Sequence, residues 1–148
     1  MNLRKALTPE TIAIELKATT KDGIIEELVD MLVAAGKIKD RLAALHAILD
    51  REKKMSTGMQ SGIAIPHGKT DTVDGLIAAF GMKHVGVDFE SLDGQPASIF
   101  IMTLSPVNRT GPHIQFLAEV SRQLNDPAIR ERLLQATTTD EVLNIIAG

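Results

Sequence analysis

Cysteine, tryptophan and tyrosine are absent from this chain of 148 residues. Without cysteine, the chain cannot form disulfides, thiolate zinc sites or cysteine nucleophiles. Without indole and phenol rings, it lacks the aromatic platforms on which many proteins stack nucleic-acid bases. A net charge of −3 gives no electrostatic footprint for nucleic acid or for an anionic membrane. We therefore expect no nucleic-acid partner.

Long apolar runs and nucleotide-binding loops are also missing. No segment approaches the length of a membrane span without charges, and no apolar signal core follows the charged start at 1–5. These absences predict a cytoplasmic protein that does not insert into a membrane. Neither G-x-x-x-x-G-K-[ST] nor G-x-G-x-x-G occurs, and no histidine pair has zinc-binding spacing. We expect neither a cofactor nor a metal.

The apolar pattern switches between the periods of strands and helices. A chain of this length, 44% hydrophobic, fits one domain over residues 1–148. The predicted strands are 12–16, 62–65, 76–82 and 97–104. The predicted helix starts lie near Thr20, Asp40, Pro112, Pro127 and Thr139 or Asp140. This order predicts an α/β fold, a single-domain sandwich in which a small mixed β-sheet is covered by helices on both faces.

His67 has the setting best suited to chemistry among the four histidines. It follows a short apolar segment and stands between Pro66 and Gly68. Proline restricts the backbone on one side, and glycine allows close backbone approach on the other. This pattern places an imidazole at the tip of a strand, on a rigid but open loop. The pKa of imidazole suits nucleophilic and proton-transfer work near neutral pH.

The other histidines have plainer interpretations. His46 falls near the apolar stripe of the second helix, Leu42, Leu45 and Leu49, and is expected to be a half-buried packing residue. His84 is expected to be an exposed loop residue. His113 stands at a predicted helix start, where it is either an exposed first-turn residue or part of an anion site.

An arginine adds to the second interpretation of His113. Arg51 stands beside a loop rich in hydroxyl groups, and arginine binds phosphate through its planar fork. Taken alone, Arg51 is a solvated charge at a helix end. Together with His67 and His113, it would suit an anion such as phosphate.

Two stretches of the chain resemble a known family. The segments Arg51-Glu52, Ser56-Thr57-Gly58 and 62–67 resemble the active-site signature of IIA components of the bacterial phosphoenolpyruvate-dependent phosphotransferase system. The resemblance is to the fructose/mannitol and nitrogen-regulatory class. The run 111–118 resembles the second histidine motif of that class, and the likeness extends over nearly the whole chain.

The resemblance implies a phosphoryl relay. A histidine phosphocarrier protein would deliver a phosphoryl group to His67, the nucleophile, and His67 would pass it to a IIB component in sugar uptake. In the nitrogen-regulatory alternative, phosphorylation of His67 would control binding to regulatory partners. The resemblance also implies that His113 supports the transfer, that Arg51 stabilises the phosphoryl group, and that Ser56 and Thr57 belong to the substrate-binding loop.

A relay histidine must be open to two partners in turn, so we expect a shallow apolar rim around it, formed by Met59, Ile63 and Ile65. Arg109, which precedes the second motif, is expected to be an exposed loop charge. An unrelated alternative is a metal-dependent hydrolase with His67 and His113 as ligands. Its weakness is that no carboxylate stands at ligand spacing.

Overall fold

A mixed β-sheet lies between two layers of helices in the computed structural model, which describes residues 3–147. The strands are β1 (Ile12–Ala13), β2 (Ile63–Ala64), β3 (His67–Lys69), β4 (Ile77–Val87) and β5 (Ala97–Ser105). The helices are α1 (Leu3–Ala6), α2 (Lys21–Ala34), α3 (Arg41–Lys54), α4 (Thr110–Leu124), α5 (Pro127–Gln135) and α6 (Thr139–Ala147), with a short 3-10 helix at Pro9–Thr11.

The sheet combines one antiparallel pair with three parallel pairs. β4 and β5 pair in antiparallel fashion, β1 lies parallel to β4, and both β2 and β3 lie parallel to β5. The break between β2 and β3 falls at Ile65 and Pro66, where proline has no backbone donor to offer. The expectation that His67 stands on a loop is therefore wrong, because this residue opens the short strand β3.

Side-chain alternation along the central strands builds two separate cores. Phe80 and Ile101 pack on the side of α1, α4, α5 and α6, whereas Ala79 and Phe100 pack on the side of α2 and α3. The predicted sandwich with helices on both faces is confirmed. All four of these side chains are fully buried, so the helices on each face pack closely against the sheet.

Capping side chains define three of the helix starts. Thr20, Asp40 and Asp126 each accept a hydrogen bond from a backbone N–H of the first turn that follows. These starts agree with the sequence prediction. Among residues 3–147, no helix is both long enough and apolar enough to cross a membrane.

Two predictions for α3 are wrong. The buried face of this helix is formed by Ala44, Leu45 and Ile48, whereas Leu42 and His46 are exposed. Both exposed residues stand two positions from Ala44, which is about 200° around the helix axis. Apolar spacing alone located the helix correctly and misplaced the edge of its buried face.

Candidate functional site

His67 is half-buried at the start of β3. Its Nδ1–H donates a hydrogen bond of 2.9 Å to the carbonyl oxygen of Ile65. Because a carbonyl oxygen can only accept, this bond places the proton on Nδ1 and leaves the lone pair on Nε2. The strand itself is held to β5, where the Thr103 N–H donates to the Pro66 carbonyl at 3.0 Å. His67 therefore presents an unprotonated Nε2 from a fixed ring.

His113 lies edge-to-face against His67, with ring centroids 5.6 Å apart and ring planes 89° apart. The residue is only 2% exposed, so the expectation of an exposed first-turn position is wrong. The reason is that α4 begins at Thr110, which places His113 within the helix and turns its side chain toward the sheet. The two histidines singled out in the sequence are thus in contact.

Two hydroxyl groups of β5 hold the His113 ring. Thr103 Oγ1 lies 2.8 Å from Nε2, and Ser105 Oγ lies 2.9 Å from Nδ1. Burial is the main reason why the pKa of His113 is lowered to about 4, and repulsion by Lys69, and by His67 when its ring is protonated, contributes to the same shift. His113 is consequently neutral near pH 7. Since a hydroxyl can donate or accept, the same contacts also suit a doubly protonated ring.

A cleft of about 230 Å³ opens beside His67. Four of the five predicted site residues line it, and His113 does not. The lining residues are His67, Arg51, Ser56 and Thr57, together with Met59, Ile65, Leu117 and Ser121. Arg51 lies on the last turn of α3, where its Nη1 donates to the Met55 carbonyl at 2.8 Å. This bond uses one of the five N–H donors of the guanidinium group.

The hydroxyl groups of the loop that lines the cleft are engaged within the protein. Ser56 Oγ donates to the Phe89 carbonyl at 2.7 Å and accepts from the Gly58 N–H at 3.0 Å. Thr57 donates both its N–H and its O–H to the carboxylate of Glu52, each at 2.7 Å. Neither hydroxyl can donate to a ligand without giving up its present bond. In this structure both residues hold the loop in place.

Two residues near the site, Glu52 and Lys69, had been given no role in the sequence interpretation. Glu52 is buried, although the other charged residues of the last turn of α3 are basic. Lys69 lies two positions after His67 on β3 and therefore on the same face of the strand, and its Nζ donates to Thr110 Oγ1 at 2.6 Å. The strand spacing could have identified Lys69, whereas nothing local indicated that the Glu52 carboxylate would turn inward.

The predicted apolar rim is partly wrong. Met59 is exposed, but Ile63 and Ile65 are 4% and 5% exposed and belong to the core beneath α4. The cause is that Ile63 lies in β2, where pairing with β5 directs its side chain inward. Both isoleucines form the floor of a larger cavity of about 460 Å³ that adjoins the cleft, with the exposed Leu92 at its wall.

The remaining candidates lie apart from this arrangement. His84 is exposed as expected, but it lies within β4 and not in a loop, with its ring nitrogens 2.6 Å from Glu15 Oε1 and 2.8 Å from the Leu134 carbonyl. Arg109 is exposed and directly precedes α4. Within the described part of the chain, no group of three or more histidine, aspartate or glutamate side chains is arranged to hold a metal ion.

A protein-family model matches residues 5–148 of the chain. Its description is "Phosphoenolpyruvate-dependent sugar phosphotransferase system, EIIA 2". The match covers both histidine motifs and all the helices and strands that build the cleft.

Two relatives of very different lengths contain a sequence similar to this chain. The chain is 42% identical over 142 residues to the PTS system fructose-specific EIIA component of Haloferax volcanii, which covers 95% of this chain and 92% of that protein. It is 41% identical over 146 residues to the fructose-specific EIIABC component of Bacillus subtilis. That alignment covers 99% of this chain but only 23% of the length of the relative.

Solved structures with the same fold come from both branches. The nitrogen regulatory protein IIA-Ntr of Neisseria meningitidis matches with a TM-score of 0.90 at 29% identity, covering 96% of this chain and 97% of that one. Mannitol IIA of Escherichia coli, solved in complex with phosphorylated mannitol IIB, matches with a TM-score of 0.82 at 32% identity, again covering 96% and 97%.

Proposed function

Since the chain belongs to the EIIA 2 family of the phosphoenolpyruvate-dependent sugar phosphotransferase system, we propose that it relays a phosphoryl group through Nε2 of His67. The observation that carries the proposal is the bond from Nδ1–H to the Ile65 carbonyl, because it leaves the Nε2 lone pair available beside the cleft. The protein would act in the cytoplasm as a phosphotransferase component.

The two partners in this relay are proteins. The donor is a histidine phosphocarrier protein, and the acceptor is a IIB component of a fructose/mannitol-type uptake system. The 42% identity to a fructose-specific EIIA component supports this branch, and the solved complex of mannitol IIA with phosphorylated IIB supports the class of acceptor.

The transfer requires no separate base. The Nε2 lone pair of His67 attacks phosphorus, the bond from phosphorus to the donor's ring nitrogen breaks, and its electron pair returns to the donor's imidazole. His67 keeps the proton on Nδ1, so its ring gains positive charge during the transfer. The Ile65 carbonyl, which already accepts this proton at 2.9 Å, stabilises that charge.

Positive charge near the phosphoryl group also stabilises the transfer. Negative charge is spread over the three equatorial oxygens in transit, so catalysis rests on positioning and electrostatic stabilisation. Arg51 supplies a cation in the wall of the cleft. A negatively charged phosphoryl group on His67 also favours the protonated form of His113, and the hydroxyls of Thr103 and Ser105 can accept hydrogen bonds from that ring.

A nitrogen-regulatory role is the second candidate. The TM-score of 0.90 to IIA-Ntr, against 0.82 to mannitol IIA, favours it. In this role, the phosphoryl group on His67 adds negative charge to one surface and so changes the binding of regulatory proteins. The two candidates share the acceptor atom and differ in the protein that follows.

Intact-mass spectrometry at alkaline pH tests the relay after incubation with phosphoenolpyruvate, the first enzyme of the system and the phosphocarrier. We expect one added phosphoryl group that is lost in acid and absent from His67→Ala. His46→Ala is the matched control, because His46 is an exposed histidine on α3. No added mass on the wild-type protein, with the carrier shown to be phosphorylated, would contradict the proposal.

Adding a purified IIB component then separates the two candidates. Movement of the phosphoryl group from His67 to a IIB protein supports the sugar branch. Retention on His67, together with altered binding of a regulatory protein, supports the second candidate.

A further inference from the structure

The carboxylate of Glu52 lies where two effects, the helix dipole and burial, disfavour a negative charge. It belongs to the last turn of α3, at the negative end of the helix dipole, where the neighbouring charged residues are Arg51, Lys53 and Lys54. It is also buried, with a side chain only 5% exposed. Burying a carboxylate costs free energy unless hydrogen bonds and an opposite charge offset the loss of hydration.

Three groups offset the cost of burying Glu52. The N–H and O–H of Thr57 donate to its two oxygens, each at 2.7 Å, and Lys21 Nζ lies 3.0 Å from Oε1. Lys21 is itself largely buried, with its side chain 13% exposed and its ammonium group 5.0 Å from the centre of the Phe89 ring. The Lys21–Glu52 pair therefore ties α2 to the end of α3 and to the loop that follows.

The consecutive residues Arg51 and Glu52 hold the loop after α3 at two points. Arg51 Nη1 donates to the Met55 carbonyl, and Glu52 accepts from Thr57 two positions later. Arg51 and Thr57 both line the cleft beside His67. Loss of the Glu52 carboxylate would leave the Thr57 N–H without its acceptor and would loosen the segment to which Arg51 is bonded.

We propose that Glu52 is a positioning residue for phosphoryl transfer at His67, with Lys21 as its counter-ion. It makes no contact with the phosphoryl group and acts through Thr57 and Arg51. The inference rests on the proposed function, since it assigns a role in that reaction. Misplacement of a charged group by about 1 Å can cost on the order of 100-fold in rate.

A matched control is available on α2. Glu27 also binds backbone N–H groups, accepting from Lys17 and Ala18 at 2.9 to 3.0 Å, but it does not line the cleft. Glu27→Gln therefore disturbs a structural carboxylate without touching the loop beside His67.

The experiment measures single-turnover phosphorylation of Glu52→Gln and Glu27→Gln over a range of phosphorylated carrier concentrations, with urea unfolding in parallel. We expect Glu52→Gln to lower the rate constant at saturation by roughly 10- to 100-fold, with the half-saturating concentration unchanged. Glu27→Gln should lower stability alone. A folded Glu52→Gln protein with the wild-type rate constant would overturn the inference.

Two further comparisons show whether Glu52 acts through its neighbours. Thr57→Val loses the O–H that donates to Glu52 and should slow transfer even if Glu52→Gln does not fold. In an Arg51→Ala background, Glu52→Gln should have a much smaller effect, because the group that it positions is gone. An undiminished effect there contradicts the inference, while a wild-type protein that accepts no phosphoryl group contradicts the proposed function itself.

Discussion

Gly68 packs directly against the backbone of Ala47. A Cβ atom on Gly68 would lie 2.9 Å from both the carbonyl carbon and the carbonyl oxygen of Ala47, and 3.0 Å from the nitrogen of Ile48. This close approach of β3 to α3 brings His67 and Arg51, one helical turn beyond Ala47, to the same cleft. The glycine after the histidine thus sets the spacing between His67 and Arg51.

Gly68→Ala should destabilise the protein by about 1–3 kcal/mol, because the added methyl group meets helix backbone that cannot rotate away. It should also slow phosphoryl transfer by moving Arg51 relative to His67. Urea unfolding measures the first effect and the single-turnover assay the second. Gly75→Ala is the control, since a Cβ atom there meets nothing within 4 Å. Equal unfolding midpoints for the two variants would contradict the packing argument.

The buried His113 should make the protein less stable in mild acid. Its pKa is about 4 in the folded protein against 6.5 for an unperturbed histidine, so the unfolded chain binds the proton first. The contribution is complete above pH 6.5 and is lost as the pH falls toward 4, by an amount of the order of 3 kcal/mol. Urea unfolding across this range measures it. The loss should shrink in His113→Gln, and an imidazole NMR titration of His113 near pH 6.5 would refute the assignment.

Lys69→Gln should raise the pKa of His113, because it removes a positive charge that disfavours the protonated ring. NMR titration of the His113 imidazole gives the shift directly, without any partner protein. Lys39→Gln is the matched control. This exposed lysine lies just before the start of α3, whereas Arg51 lies in the last turn of that helix. An unchanged pKa in Lys69→Gln would show that the two groups do not interact in solution.

His84 should contribute stability with the opposite pH dependence. Both of its ring nitrogens face acceptors, Glu15 Oε1 and the Leu134 carbonyl, and these contacts favour the doubly protonated ring. These contacts raise the pKa of His84. The contribution is present below pH 6.5 and is lost as the pH rises through the raised pKa. Comparing wild type and His84→Gln by urea unfolding between pH 6 and 9 checks this, and parallel curves would count against it.

Local signals in the sequence determined much of this protein. Capping residues such as Thr20 and Asp40 fixed helix starts, because a cap bonds to an N–H only a few positions away. Apolar periodicity predicted the sandwich, since each helix or strand must bury one face. The Pro66-His67-Gly68 run singled out His67, and both histidine motifs carried the family resemblance.

Only the tertiary structure decided how the site is built. Burial of His113 depends on where α4 meets β5, and the Glu52–Thr57 bonds depend on the path of the loop after α3. Exposure of Leu42 likewise depends on which part of α3 the sheet covers. A sequence specifies local backbone preferences within a few residues, but burial and hydrogen-bond partners are set by residues distant in the chain. For that reason the sequence could single out His67 as the candidate nucleophile, whereas the burial and the hydrogen bonds of the groups around it could not be predicted.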